Sequence, residues 1–168
     1  VAAGLAPVRK NWSGLLPVPG HTGEYEWNGF RRAADLPRLF NPPAHYIATA
    51  NHNILPPGYR LPLSYEWAAP FRFQRIREML VGGRKFTVSD FQRMQQDVTS
   101  LPALRFQGIL RHWKPPAKAT AIVEELLRWD ATLTANSRPA LLYEVWISKL
   151  PAAVFGPQLG ERVGLEML

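Results

Sequence analysis

The stretch "YIATANHNILPPGY", residues 46–59, decides how the first half of this chain is read. Tyr46, Ile47 and Ala48 suit a strand buried on both faces, because their apolar run hardly alternates with polar residues. Pro56-Pro57-Gly58 reads as a hard stop. Between them lies Thr49-Ala50-Asn51-His52-Asn53, a cluster of hydrogen-bonding side chains where the chain turns. An amide there can donate N–H without carrying charge, as a site stabilising a developing oxyanion requires. An Asn close before Pro-Pro-Gly is also an ordinary turn cap, and spacing alone favours that plainer role for Asn51.

Toward the N-terminus the same texture continues through "GLLPVPG", "HTGEYEWNGF" and "LPRLFNPP". In "EYEWNGF" the aromatics Tyr25 and Trp27 alternate with polar residues, which predicts a half-buried strand ending at Asn28-Gly29. Nine of the sixteen prolines precede residue 70, so residues 1–69 are expected to be strands and ordered loops.

Toward the C-terminus the period becomes helical. Pro70 suits a first turn, Ile76, Met79 and Leu80 fall at i, i+3, i+4, and Gly82-Gly83 closes the element. Thr87 and Asp90 have capping-box spacing, ahead of Phe91, Met94 and Val98 on one face. Further stripes are Phe106, Ile109, Leu110 and Trp113, then Ile122, Val123, Leu126 and Leu127. Ser137 is placed to cap "RPALLYEVWISKL", with Leu141, Leu142, Val145 and Trp146 facing inward. Five helices are therefore expected over residues 70–150, and these stripes are core-facing surfaces before they are anything else. The final "AAVFGPQLGERVGLEML" has apolar patches broken by glycines and reads as cut rather than finished.

At 168 residues and 46% hydrophobic, the chain can bury one core, and residues 1–168 read as a single domain. No apolar run is long enough to span a bilayer, and "VAAGLAPVRKNW" lacks the pattern of a signal peptide. The absence of cysteine removes disulfides, thiolate metal sites and cysteine nucleophiles. A net charge of +7 invites a nucleic-acid reading, but many basic residues sit beside acids, as in "RIRE" and "EELLRWD". Only "GGRKF" and "RHWKPPAK" keep that alternative open.

The four histidines lack metal-ligand spacing, and no phosphate-binding loop, dinucleotide fingerprint or nucleophile elbow is present. Glu24 and Glu26, two apart in a strand, read as exposed residues of one face. No acidic loop would bind calcium alone.

The series "LPVPG", "GEYEWNGF", "LPRLFNPP", "YIATAN", "WAAPFRFQRI", "TVSDFQRMQQDVTS", "LLRWD" and "ALLYEVW" resembles, in order and spacing, the β-chain of the penicillin acylase family, whose members are N-terminal nucleophile hydrolases. The likeness runs from about residue 12 to residue 150. It implies an α+β fold, part of an αββα sandwich, with one or two sheet strands in residues 1–69 and a helical layer over 70–150. It also implies hydrolysis of a linear amide through an acyl-enzyme on an N-terminal Ser, with β-lactam side chains and N-acyl homoserine lactones among the family's substrates. In the family's "TANN" motif the first Asn donates to the oxyanion hole, which falls on Asn51; His52 stands where the family commonly has a second Asn. The family arginine near the catalytic centre falls on Arg72 in "WAAPFR", where its planar fork of donors could hold the Asn amide and backbone carbonyls together. The plain alternative for Arg72 is a surface helix arginine.

Residue 1 is Val, which has no hydroxyl or thiol, so the resemblance places the nucleophile outside this chain. The chain then reads as an internal piece of the β-chain, inactive alone, whose partners are the rest of that chain, the α-chain and a small amide substrate. Neither nucleic acid nor a membrane is expected as a partner. No cofactor is expected within this piece, calcium remains open for the complete protein, and the resemblance implies a periplasmic or secreted location. A non-catalytic helical interaction module derived from the same fold is the alternative function.

Overall fold

A computed structural model describes residues 5–61, 63–82 and 85–159. They fall into two compact units, Val1–Leu80 and Val81–Leu168. Val1 and the glycine-broken residues 160–168 lie outside the described residues.

In the first unit, β1 (Pro7–Arg9) pairs antiparallel with β2 (Trp27–Phe30), with Pro7 opposite Phe30 and Arg9 opposite Trp27. The three residues Pro7–Arg9 of β1 thus lie opposite the four residues Trp27–Phe30 of β2, which makes a bulge. Gly29, at φ 81°, supplies the left-handed residue that the extra position needs. The expected strand end at Asn28-Gly29 is therefore corrected: the glycine bends the strand instead of ending it, and Trp27 and Phe30 are exposed. The ladder extends at both ends, with Arg31 N–H donating to the Ala6 carbonyl at 2.8 Å and Lys10 N–H to the Glu26 carbonyl at 2.9 Å.

The expected two-sided strand at Tyr46–Ala48 is likewise corrected. Residues 46–49 have no regular secondary structure and belong to no sheet, Ile47 is exposed, and only Ala50 of this run is buried. Extended chain becomes a strand only by pairing with a neighbour, and among the described residues none lies alongside. Pro56-Pro57-Gly58-Tyr59 does form the expected stop: Tyr59 N–H donates to the Pro56 carbonyl at 3.0 Å and Gly58 adopts φ 77°, as a type II turn demands. The Tyr59 hydroxyl donates to the Asp35 carbonyl at 2.8 Å, and the Asp35 carboxylate accepts a fork of two bonds from Arg32 that holds it below the usual carboxylate range. The unit ends with α1 (Phe71–Leu80), so the change of composition at Pro70 precedes the unit boundary by one helix.

The second unit holds α2 (Val88–Gln95), α3 (Leu101–Leu110), α4 (Thr120–Arg128) and α5 (Arg138–Leu159). The Thr87–Asp90 capping box is complete, with Asp90 N–H donating to Thr87 Oγ1 at 3.2 Å and Thr87 N–H donating to Asp90 Oδ2 at 2.7 Å. Ser100 caps α3 and Ser137 caps α5 by one bond each, Ser100 Oγ accepting from Ala103 N–H at 3.2 Å and Ser137 Oγ from Ala140 N–H at 3.3 Å. Helix α5 continues past the expected end at Leu150, through Pro151 and Pro157. A proline deletes one backbone bond and bends a helix, but flanking turns can carry it.

Helices α3, α4 and α5 enclose a core of Ala103, Leu110, Val123, Leu126, Trp129, Ala131, Ala140 and Tyr143. Phe106 packs on it, edge to face with Trp146 at 5.0 Å between centroids. Burial pushes the Tyr143 phenol above its ordinary pKa, with a hydrogen bond from Ser100 drawing it partly back and Glu144 raising it further. Several expected inward residues are corrected here: Ile109, Leu141 and Val145 are exposed, and Ala103, Ala140 and Tyr143 take their place. No described helix is long and apolar enough to cross a membrane.

Candidate functional site

The sequence makes Asn51 and Arg72 candidates from positions 21 residues apart, and the fold of the first unit joins them directly. Asn51 adopts φ 57°, the left-handed region that Asn tolerates better than other side-chain-bearing residues. The bend there turns the chain back on itself, so that Ala68 N–H donates to the Asn51 carbonyl at 2.8 Å. From the first turn of α1, one amino group of Arg72, Nη2, donates to the Ala50 carbonyl at 3.1 Å and to Asn51 Oδ1 at 3.0 Å. The next helical residue, Phe73, stacks face to face on His52 at 3.8 Å between centroids and 13° between planes.

The orientation of the Asn51 amide follows from these donors. A guanidinium only donates, so the atom facing it is the amide oxygen, and the NH2 group points the other way. Among the described residues no acceptor meets that NH2 group, which keeps its two N–H donors for something else. The turn-capping role falls to Asn53 instead, whose Oδ1 accepts from Leu55 N–H at 3.0 Å. The amides of residues 51 and 53 thus divide into one that closes a turn and one that presents donors.

Arg72 is exposed along part of its length, but its tip is engaged by two acceptors on a neighbouring loop, unlike a solvated helix arginine. The expected bridging of amide and backbone carbonyl is the observed geometry. What the sequence reading missed is the next pair outward: Ala68 as backbone donor and Phe73 as stacking partner of His52. The only signal for the latter was that Phe73 directly follows Arg72. Glu24 N–H bonds to Thr22 Oγ1 within the loop before β2, and both Glu24 and Glu26 remain outside any cluster. Among the described residues no group of three or more His, Asp or Glu gathers to hold a metal. Basic residues are in part paired with acids, as in Arg75–Glu78 at 3.3 Å, Arg128–Glu124 at 3.8 Å and Arg138 with Glu125.

Comparison with known proteins identifies relatives over nearly the whole chain. The acyl-homoserine lactone acylase QuiP of Pseudomonas aeruginosa is 31% identical over 176 residues, which cover 96% of this chain and 21% of that protein. Penicillin acylase 2 proenzyme of Pseudomonas sp. (strain SE83) is 32% identical over 169 residues, covering 95% of this chain and 20% of the proenzyme. The chain thus spans about a fifth of the length of these curated relatives. Among solved structures, a thermostable penicillin G acylase from Alcaligenes faecalis superposes with a TM-score of 0.69 at 18% identity, over 95% of this chain and 31% of that one. That likeness bears out the expected α+β fold. The Penicillin amidase family model matches residues 1–168, end to end, and the chain belongs to the penicillin amidase family.

Proposed function

We propose that the complete protein containing this chain hydrolyses a linear amide bond through an acyl-enzyme, and that Asn51 supplies an oxyanion donor. The observation that carries this reading is the engagement of Asn51 Oδ1 by Arg72, which leaves the amide N–H groups outward. The nucleophile is an N-terminal Ser outside this chain, freed when a precursor cleaves itself. Its α-amino group takes the hydroxyl proton through a bridging water as Oγ attacks the amide carbon. The carbonyl oxygen becomes negative, Asn51 donates to it, and the C–N bond breaks as the amine leaves with a proton. Water then attacks the acyl-enzyme through a second oxyanion held by the same donor, releasing the acid and restoring Ser.

The names of the relatives support the class of substrate, an acyl-homoserine lactone in one and a penicillin in the other. One relative is named a proenzyme, which supports assembly of the mature protein from processed chains, and we take the partners to be the rest of the β-chain and the α-chain. Both units belong in this reading to one partial domain of that assembly. A periplasmic or secreted location is part of the proposal. Among the described residues no group of three or more His, Asp or Glu gathers, and the proposed steps use no calcium.

The test is amide hydrolysis by the complete, processed protein carrying Asn51→Ala or Asn51→Gly. Glycine keeps the left-handed backbone and removes the donor, so both variants are expected to lose about 10²- to 10³-fold in kcat with processing intact. Unchanged turnover would remove Asn51 from the chemistry and leave a helical interaction module as the reading of this chain.

A further inference from the structure

We propose that His52 is a positioning residue for the Asn51 amide, acting through its ring stack on Phe73; the inference rests on the amidohydrolase reading above. Three consecutive residues are tied to the segment leading into α1 or to the helix itself. Ala50 and Asn51 accept from Arg72, Asn51 also accepts from Ala68 N–H, and His52 lies flat on Phe73. The hydrogen bonds fix the chain up to Asn51, and the stack fixes its exit. That exit matters because Asn51 sits at φ 57°, from which a side-chain-bearing residue relaxes readily toward negative φ unless both neighbours are held. Such relaxation would swing the carboxamide, whereas a donor to an oxyanion must stay within about 0.5 Å of its working position.

The stack, and no hydrogen bond through Nδ1, carries this role. Nδ1 of His52 is buried and has no hydrogen-bond partner. Phe73 adjoins Arg72 on α1, so the stack steadies the same turn of helix that presents the guanidinium. A flat aromatic ring at position 52 is what the geometry requires, and the imidazole nitrogens are incidental to it.

The experiment uses the complete protein, with precursor cleavage followed separately. The probe is whichever acyl-homoserine lactone or penicillin the unsubstituted protein hydrolyses. For His52→Ala and Phe73→Leu, kcat is expected to fall about tenfold with KM changed less than about twofold, the scale of losing one aromatic pair. For His52→Phe, kcat is expected to stay within about twofold of the parent, because the ring face is kept and Nδ1 had no partner. The inference is overturned if His52→Ala keeps full kcat, or if His52→Phe falls as far as His52→Ala. Should His52→Ala fail to process, the other two variants decide: an active His52→Phe beside an impaired Phe73→Leu supports the stack, and Phe73→Leu at parental kcat rejects it. A silent His52 series beside an impaired Asn51→Ala sinks this inference alone, whereas a silent Asn51→Ala sinks the parent reading as well.

Discussion

Position 51 asks two things of one side chain. The backbone needs a residue at ease in the left-handed region, and the proposed function needs a side chain that accepts from Arg72 while still donating elsewhere. Asp meets the first demand and, when ionised, has nothing left to donate; Ala meets neither. Position 72 is equally particular, since one planar amino group serves two acceptors on a loop. Arg72→Lys replaces that fork with a flexible ammonium of shorter reach and is expected to lower kcat of the complete protein about tenfold, and Arg72→Ala more, with smaller effects on KM. Parental kcat in Arg72→Ala would show a surface arginine that the amide does not need. The sequence makes Arg72 a candidate through resemblance alone and Asn51 through its neutral amide donors as well; spacing favours a turn cap at Asn51, because nothing local reveals that Asn53 takes that task.

Among elements, the helices are the most legible part, because their signals are local. Thr87, Asp90 and Ser137 stand where the caps form, and every expected helix is present. Their faces are less legible. Helix α5 is apolar on several sides, so periodicity alone does not distinguish exposed Leu141 and Val145 from buried Ala140 and Tyr143. Nor does it reveal Gln107, a polar residue in the core, whose Nε2 donates at 2.7 Å to each of the Leu126 and Trp129 carbonyls. Those carbonyls close α4 at the end where its own bonds run out. Gln107→Leu keeps the volume and strands both acceptors, so chemical unfolding of the complete protein should report a loss of about 2–3 kcal/mol in the helical unit. A loss below about 0.5 kcal/mol would mean that water or a shifted backbone satisfies them. Strands fared worse because a strand is defined by its partner. Residues 46–49 carry a strand-like apolar run, but no local signal indicates whether another strand will run beside them.

For the whole molecule, the division of order follows the division of chemistry. The helical unit has a continuous core, whereas Ala50 is the one buried hydrophobic among the first unit's described residues; both units leave large apolar side chains exposed, Leu16, Leu39, Phe40 and Ile47 in the first and Val88, Ile109, Leu141 and Val145 in the second. In hydrogen exchange of the 168-residue chain, amides of α3, α4 and α5 are expected to be protected well beyond those of residues 10–45. Uniform protection across both would contradict this. Apolar surface on that scale is what a segment presents when its neighbours are supplied by the rest of a larger fold, and the relatives are about five times as long.

The bond from Arg72 to Asn51 has an electronic consequence as well as a geometric one. A cation donating into the amide oxygen favours the resonance form in which negative charge sits on oxygen and positive charge on nitrogen. The outward N–H groups are thereby polarised and become stronger donors than those of an amide in water. In the proposed reaction Arg72 thus extends the influence of its charge to the oxyanion through the conjugated amide, while the group presented to it stays formally neutral.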